Sequence, residues 1–160
     1  DWVEKLSAGF DFLSSHDIRI TIVAKNLKDL EVAGAADIEV SGIKTDELGL
    51  RLVGASNVKV DGLKADRLET EIPGAGKIRV EGEVKEQSVV LAGAGNFSGH
   101  QLKSKTAKVV LSGVGSAQLW VTDELDVTIA GVGSVEYYGS PRIKQSVTML
   151  GKVSSLGEPK

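Results

Sequence analysis

A glycine returns about every twenty residues along this chain, each time in the same setting. The clearest copy is Ile72-Pro-Gly-Ala-Gly-Lys-Ile-Arg-Val-Glu-Gly82. Anchored on its first glycine, the series runs Gly34, Gly54, Gly74, Gly93, Gly113, Gly131, Gly151, with steps of 20, 20, 19, 20, 18 and 20 residues. A fixed period in this range is the signature of a repeat architecture, and it constrains the fold more than any single motif could.

The columns around the anchor show what the repeat is made of. Two residues before it stand Val32, Leu52, Ile72, Leu91, Leu111, Ile129 and Met149; four before stand Leu30, Leu50, Thr70, Val89, Val109, Val127 and Val147. Four after stand Ile38, Val58, Ile78, Phe97, Ala117, Val135 and Ser155; six after stand Val40, Val60, Val80, Gly99, Leu119, Tyr137 and Gly157. The positions between are mostly polar, as in Glu31, Arg51 and Glu71 or Glu39, Lys59 and Arg79. Alternation with period two on both sides of a glycine predicts two short strands per repeat, each with one face inward.

One such repeat cannot bury its own apolar face, but stacked repeats can, because each inward column becomes a continuous file with coils about 4.8 Å apart. The anchor glycine is expected where the backbone turns through positive φ, with a small second residue such as Gly76 or Gly95 keeping the corner tight. The expected fold is therefore all-β: a single-stranded, right-handed parallel β-helix of about seven coils with ~20-residue repeats. A β-sandwich also uses closely spaced strands, but the recurring columns favour the solenoid. Leu111, Ala117, Ile129, Val135 and Val147 do fall on the six-residue grid of left-handed helices, which Asp123 breaks.

The chain reads as one domain, 1–160. Residues 1–16 hold Trp2, Val3, Leu6, Phe10, Phe12 and Leu13 and are expected to cap the open first coil, part of them as a helical turn or two. Residues 17–157 form the stack, and 158–160 have nothing to pack and fray. The opening Asp1-Trp2-Val3-Glu4 reads as a mature or trimmed segment.

Composition narrows function mostly by exclusion. With 19 basic and 22 acidic residues well mixed, there is no basic field for nucleic acid. No apolar run approaches the roughly 18 residues of a membrane span. Cysteine is absent, which removes disulfides and thiolate metal sites. No Gly-x-Gly-x-x-Gly, Walker lysine or Gly-x-Ser-x-Gly occurs, and the corners lack the Asp of calcium-binding nonapeptides. His16 and His100 are too few for a triad or a His-rich metal site. No cofactor, metal or catalytic residue is assigned.

Carboxylates are the remaining enzymatic material: Asp46-Glu47, Asp66, Asp123-Glu124-Asp126, and above all Asp61 and Glu81. Those two lie seven residues after their corners on consecutive coils, where a general acid and base could stand together. Solvated turn charges are the plainer reading. The same offset continues through His100, Trp120 and Tyr138, giving an outward aromatic row about 10 Å long if the register holds. Flat rings on a rigid face suit a sugar or a protein partner. Outward Val90 and Val110, three before their corners, point to a subunit-contacting face and a homo-oligomer.

Leu111-Ser-Gly-Val-Gly-Ser, the run Leu125-Asp-Val-Thr-Ile-Ala-Gly-Val-Gly-Ser-Val-Glu-Tyr-Tyr-Gly-Ser-Pro and the closing Gly151 resemble the autotransporter-adhesin head GIN domain. The resemblance covers about residues 25–157. It implies a right-handed parallel β-helix like pectin-lyase folds without their catalytic residues, and export to the periplasm, outer membrane or surface of Bacteroidetes. It also implies adhesion, with a host or cell-surface glycan or protein as partner. The chain departs from it in the degenerate corners Gly34-Ala-Ala, Gly54-Ala-Ser and Gly151-Lys-Val, and its N-terminal part is shorter. Two other functions stay open beside non-enzymatic binding: a carbohydrate-active enzyme using Asp61 and Glu81, and a purely structural, oligomerising envelope module.

Overall fold

The computed structural model describes residues 5–9, 19–23, 29–34, 37–148 and 150–157. Among these, eleven strands and no helix are found: β1 Lys5–Gly9, β2 Arg19–Val23, β3 Asp29–Gly34, β4 Asp37–Ser41, β5 Lys44–Ile72, β6 Ala75–Leu91, β7 Ala94–Leu111, β8 Val114–Ile129, β9 Val132–Tyr138, β10 Arg142–Val147 and β11 Gly151–Ser155. Every pairing is parallel and joins one turn to the next, in the order β1-β3-β5-β6-β7-β8-β9-β11, with β2 on β4, β4 on β5 and β10 on β8. The result is a parallel β-solenoid of about six turns.

The predicted columns become the core. Leu52, Ile72, Leu91, Leu111 and Ile129 are each fully buried, and so are Val89, Val109, Val127, Val60, Val80 and Leu119. Leu52 follows Val32 in register, and Ile72, Leu91, Leu111 and Ile129 are successive partners up the stack. Val58, Ile78, Phe97, Ala117 and Val135 form a second inward file. The bulk in that file is compensated sideways. Phe97 fills the space beside Gly99, where an added Cβ would lie 2.6 Å from the ring.

Four expectations are corrected. First, each turn has three inward runs rather than two. In one turn Val58 and Val60, Leu63 and Ala65, then Leu68, Thr70 and Ile72 are buried, and outward residues in succession (Asp61-Gly62, Asp66-Arg67) reset the alternation between runs. Each reset is a corner, so the solenoid has three faces. The added face carries Ile43, Leu63, Leu102 and Val121, with Leu48, Leu68, Ala107 and Leu125 beside it.

Second, the last step is 18 residues rather than 20. Leu50 to Thr70 and Val89 to Val109 are 20 apart, but Val109↔Val127 and Val127↔Gln145 are 18 apart. The last anchor therefore shifts, because Gly151 pairs with Gly133 and not with Gly131. Val147 pairs with Ile129 in the place expected for Met149, and Val153 with Val135 in the place expected for Ser155. The lost residues are absorbed at irregularities between Gly99 and Lys103 and between Ser104 and Thr106.

Third, positive φ is not why the anchors are glycine. Of the anchors only Gly54 has it; the left-handed column lies eight residues further on, at Gly42 (+71°), Gly62 (+67°), Gly82 and Gly139. The anchors are glycine because the corners stack backbone on backbone. A Cβ on Gly93 would lie 2.1 Å from the Gly74 carbonyl oxygen, on Gly113 2.0 Å from that of Gly93, and on Gly131 2.0 Å from that of Gly113. Gly34 lies in register with Gly54 at the start of this file.

Fourth, within the proposed cap, Lys5–Gly9 is not helical. It is a strand in register with β3, so it adds a rung to the stack. The rest of 1–16, and the tail 158–160, lie outside the described residues.

Candidate functional site

The corner with the left-handed glycines runs Ser41-Gly42, Asp61-Gly62 and Glu81-Gly82 through the first turns, and Tyr138-Gly139 closes it at the top. Two turns lack the glycine there and carry His100-Gln101 and Trp120-Val121 instead. This is also where the turn length drops, so the backbone is displaced locally and the side chains project differently.

Trp120 and Tyr138 are register partners on adjacent strands, which lie about 4.8 Å apart along the stack. Both are half-buried. His100 is not brought into the same row. Gly99 still pairs with Leu119, but the next pair is Lys103 with Trp120, so residues 100–102 form the irregularity. His100 turns back onto its own strand, its Nδ1 3.1 Å from Ser98 Oγ. Lys103 takes its place, with Nζ 5.7 Å from the Trp120 ring centroid. A cation over an indole face at this distance is attracted by the ring quadrupole. The expected row of three rings is thus two rings and an ammonium group.

The platform is anchored from inside. Ser104, buried, donates from Oγ to the Trp120 carbonyl at 2.8 Å, and Gln87 Nε2 donates to Ser104 Oγ at 2.7 Å. These are polar side chains in a core position, and they hold the strand carrying Trp120 where its register slips. Sequence columns drawn at a constant period do not reveal this contact; the break from Leu68 to Gln87 in a buried file was its only trace. Beside the rings, Gln118 donates to Glu136 at 3.5 Å, and Ser116 Oγ donates to Asn96 Oδ1 at 2.8 Å, giving the face a polar margin.

Asp61 and Glu81 stand on neighbouring turns of the same corner, and each engages a cation on its own strand. Lys59 Nζ lies 3.7 Å from Asp61, and Arg79 lies 3.0 Å from Glu81. Asp66 meets Lys85 at 3.4 Å and Glu124 meets Arg142 at 3.3 Å, both at exposed sites. Among the described residues no group of three His, Cys, Asp or Glu gathers as a metal site. No helix among them is long and apolar enough to cross a membrane. Val90 and Val110 are register partners, half-buried, on the face before the glycine corner.

Residues 5–141 match the family model described as "Putative auto-transporter adhesin, head GIN domain". Two solved structures share the fold. A "putative adhesin" from Bacteroides fragilis has a TM-score of 0.81 at 20% identity, the match covering 96% of this chain and 92% of that one. A "putative adhesin" from Parabacteroides distasonis has a TM-score of 0.75 at 21% identity; the match covers 97% of this chain and 65% of that longer one. A comparison with curated proteins gives no match.

Proposed function

The chain belongs to the auto-transporter adhesin, head GIN domain family, and from that premise we propose that it is an exported surface or envelope module that binds a glycan or protein through an outer face, without catalysis. The observation that carries the reading is the Trp120–Tyr138 pair, two rings on adjacent strands with Lys103 over one of them. Half-buried aromatic side chains supply contact area at small entropic cost, and a sugar ring stacks on such a surface while its hydroxyls reach polar neighbours such as Gln118 and Glu136. A stacked β core holds the pair without reorganisation, which preserves affinity that a loop would lose to ordering.

The enzymatic alternative rests on Asp61 and Glu81. A general acid and base need carboxyl groups free to exchange protons with a substrate, whereas each of these engages a lysine or arginine two residues back on its own strand. Binding is therefore the reading the geometry supports better.

Glycan-array and cell-binding assays test it. Trp120→Ala should weaken binding about tenfold or more, the range of a central aromatic contact, with the far-ultraviolet spectrum unchanged. Asp61→Asn with Glu81→Gln should leave binding intact. Polysaccharide cleavage that disappears only in the carboxylate double variant would establish the enzyme instead. Absence of any ligand on arrays and cells would leave the structural module.

A further inference from the structure

The face before the glycine corner carries a pattern of charge that binding through the aromatic corner does not use. Its seven rungs from β3 to β10 run in register from Leu30 to Leu50 and from Thr70 through Val89, Val109 and Val127 to Gln145, and Arg51 reaches Glu71 between the two sets. Toward the glycine corner the outward residues on these rungs are Asp29 and Glu31, then Arg51, then Glu69 and Glu71, then Ser88 and Val90, then Lys108 and Val110, then Asp126 and Thr128, then Lys144 and Ser146. At the far edge of the face, beside Glu47 and Thr106, Arg67 pairs with Glu86 and Arg142 with Glu124 within the chain. In sign these two columns read negative, positive, negative, neutral, positive, negative, positive along the rungs. Alternation alone, which steadies neighbouring rungs, would continue through the neutral rung to a negative charge on the fifth. Lys108 reverses it, and the two columns become antisymmetric about the rung of Ser88 and Val90.

We propose that this face is a homodimer interface in which a second copy packs antiparallel, related by a two-fold axis lying along the strand Ser88–Ala92. That operation keeps positions along the strand and reverses the order of rungs. Glu69 then meets Lys108 of the second copy, Asp29 meets Lys144, and Arg51 reaches diagonally to Asp126, each contact occurring twice. Val90 meets Val90 and Ala92 meets Ala92 at the axis, with Val53 against Ala130. An interface of this kind must be self-complementary, and an antisymmetric charge order is how a flat face achieves it.

The single chain leaves these groups available. Arg51 spans Glu31 and Glu71 at 3.9 and 4.0 Å, while Glu69, Lys108, Asp126 and Lys144 make no ion pair among the described residues. The rungs of Glu31, Arg51, Glu69, Glu71, Ser88 and Val90 line a shallow depression suited to a partner's side chains. Seven rungs about 4.8 Å apart and strands about 17 Å long give on the order of 500 Å² per copy. That reaches the lower limit of a specific interface, about 1,000 Å² in total. β1 adds a rung beyond Asp29 that this arrangement leaves uncovered. The axis lies on the face opposite the Trp120 corner, so both aromatic platforms stay free and a surface glycan would be gripped twice.

Sedimentation equilibrium of the folded chain tests this. The wild type should dimerise at concentrations up to about 100 μM and weaken as salt is raised. Glu69→Lys and Lys108→Glu each create two like-charge contacts per dimer and should raise Kd about tenfold or more. An equimolar mixture of those two variants restores every contact and should dimerise like the wild type; so should the Glu69→Lys/Lys108→Glu chain alone. Val90→Arg should abolish the dimer by placing two guanidinium groups at the axis. A wild type monomeric throughout, or a dimer indifferent to all three single variants, overturns the proposal. So does a mixture that fails to recover while circular dichroism shows both partners folded.

Discussion

Gly115→Ala should be among the most destabilising single-methyl additions in this chain. The new Cβ would lie 1.9 Å from the Gly95 carbonyl oxygen, well inside the 3.0 Å that such contacts keep. Overpacked cores ordinarily lose about 1–3 kcal/mol because side chains shift to other rotamers. Here the obstacle is backbone, held by hydrogen bonds such as Val114 N–H to the Gly93 carbonyl and Val132 N–H to that of Gly113, both 3.0 Å. The rungs themselves must part, so the loss should be about 3 kcal/mol or more. For a chain of this size that lowers Tm by at least ~6–12 °C. Gly62→Ala is the control. Its φ is +67° and its nearest neighbour is 3.9 Å away, so it should cost only the ~1–2 kcal/mol of a left-handed residue with a side chain. Equal melting temperatures for the two variants would refute the stacking explanation.

The second large effect is expected at Phe97 and its neighbour Gly99. Phe97→Ala removes the bulkiest fully buried side chain among the described residues and should cost about 3–5 kcal/mol. Gly99→Ala pushes a methyl against the ring and should cost about 1–3 kcal/mol. The two sites share one volume, which makes their energies non-additive. In the Phe97→Leu background, Gly99→Ala should be better tolerated by about 0.5–3 kcal/mol. Urea denaturation of the four chains closes the cycle, and strict additivity would show that the ring and the glycine do not trade space.

Both sites were visible as columns before they were visible as contacts. Phe97 stood in a file of Ile78 and Ala117, and Gly99 in a file of Val80 and Leu119, and those files are the buried ones. The aromatic corner was legible only in part. Trp120 and Tyr138 are 18 residues apart and are paired at that distance, as the offset from the glycine anchors placed them. His100 was drawn into the row by the same offset and lost from it, because the chain takes up surplus residues between Gly99 and Lys103. The inward residues do change phase there, with Gly99 and Leu102 three apart where Leu119 and Val121 are two apart, but an offset counted from the glycine anchors steps across that change. Lys103 and the buried Ser104 and Gln87 became neighbours of Trp120 through that slip alone.

Alternation and period are local and repeated, which is why the amino-acid sequence by itself determined the parallel stacked-strand class and the identity of the inner files from Leu30 to Val135. The length of the last turn, the third face through Ile43, Leu63 and Leu102, and the reason for the anchor glycines were decided only by the tertiary structure. Register is chosen by the hydrogen bonds and packing of a whole turn on its neighbour. The 18-residue turn at Gln145 and the carbonyl beneath Gly115 therefore exist only once the turns are stacked.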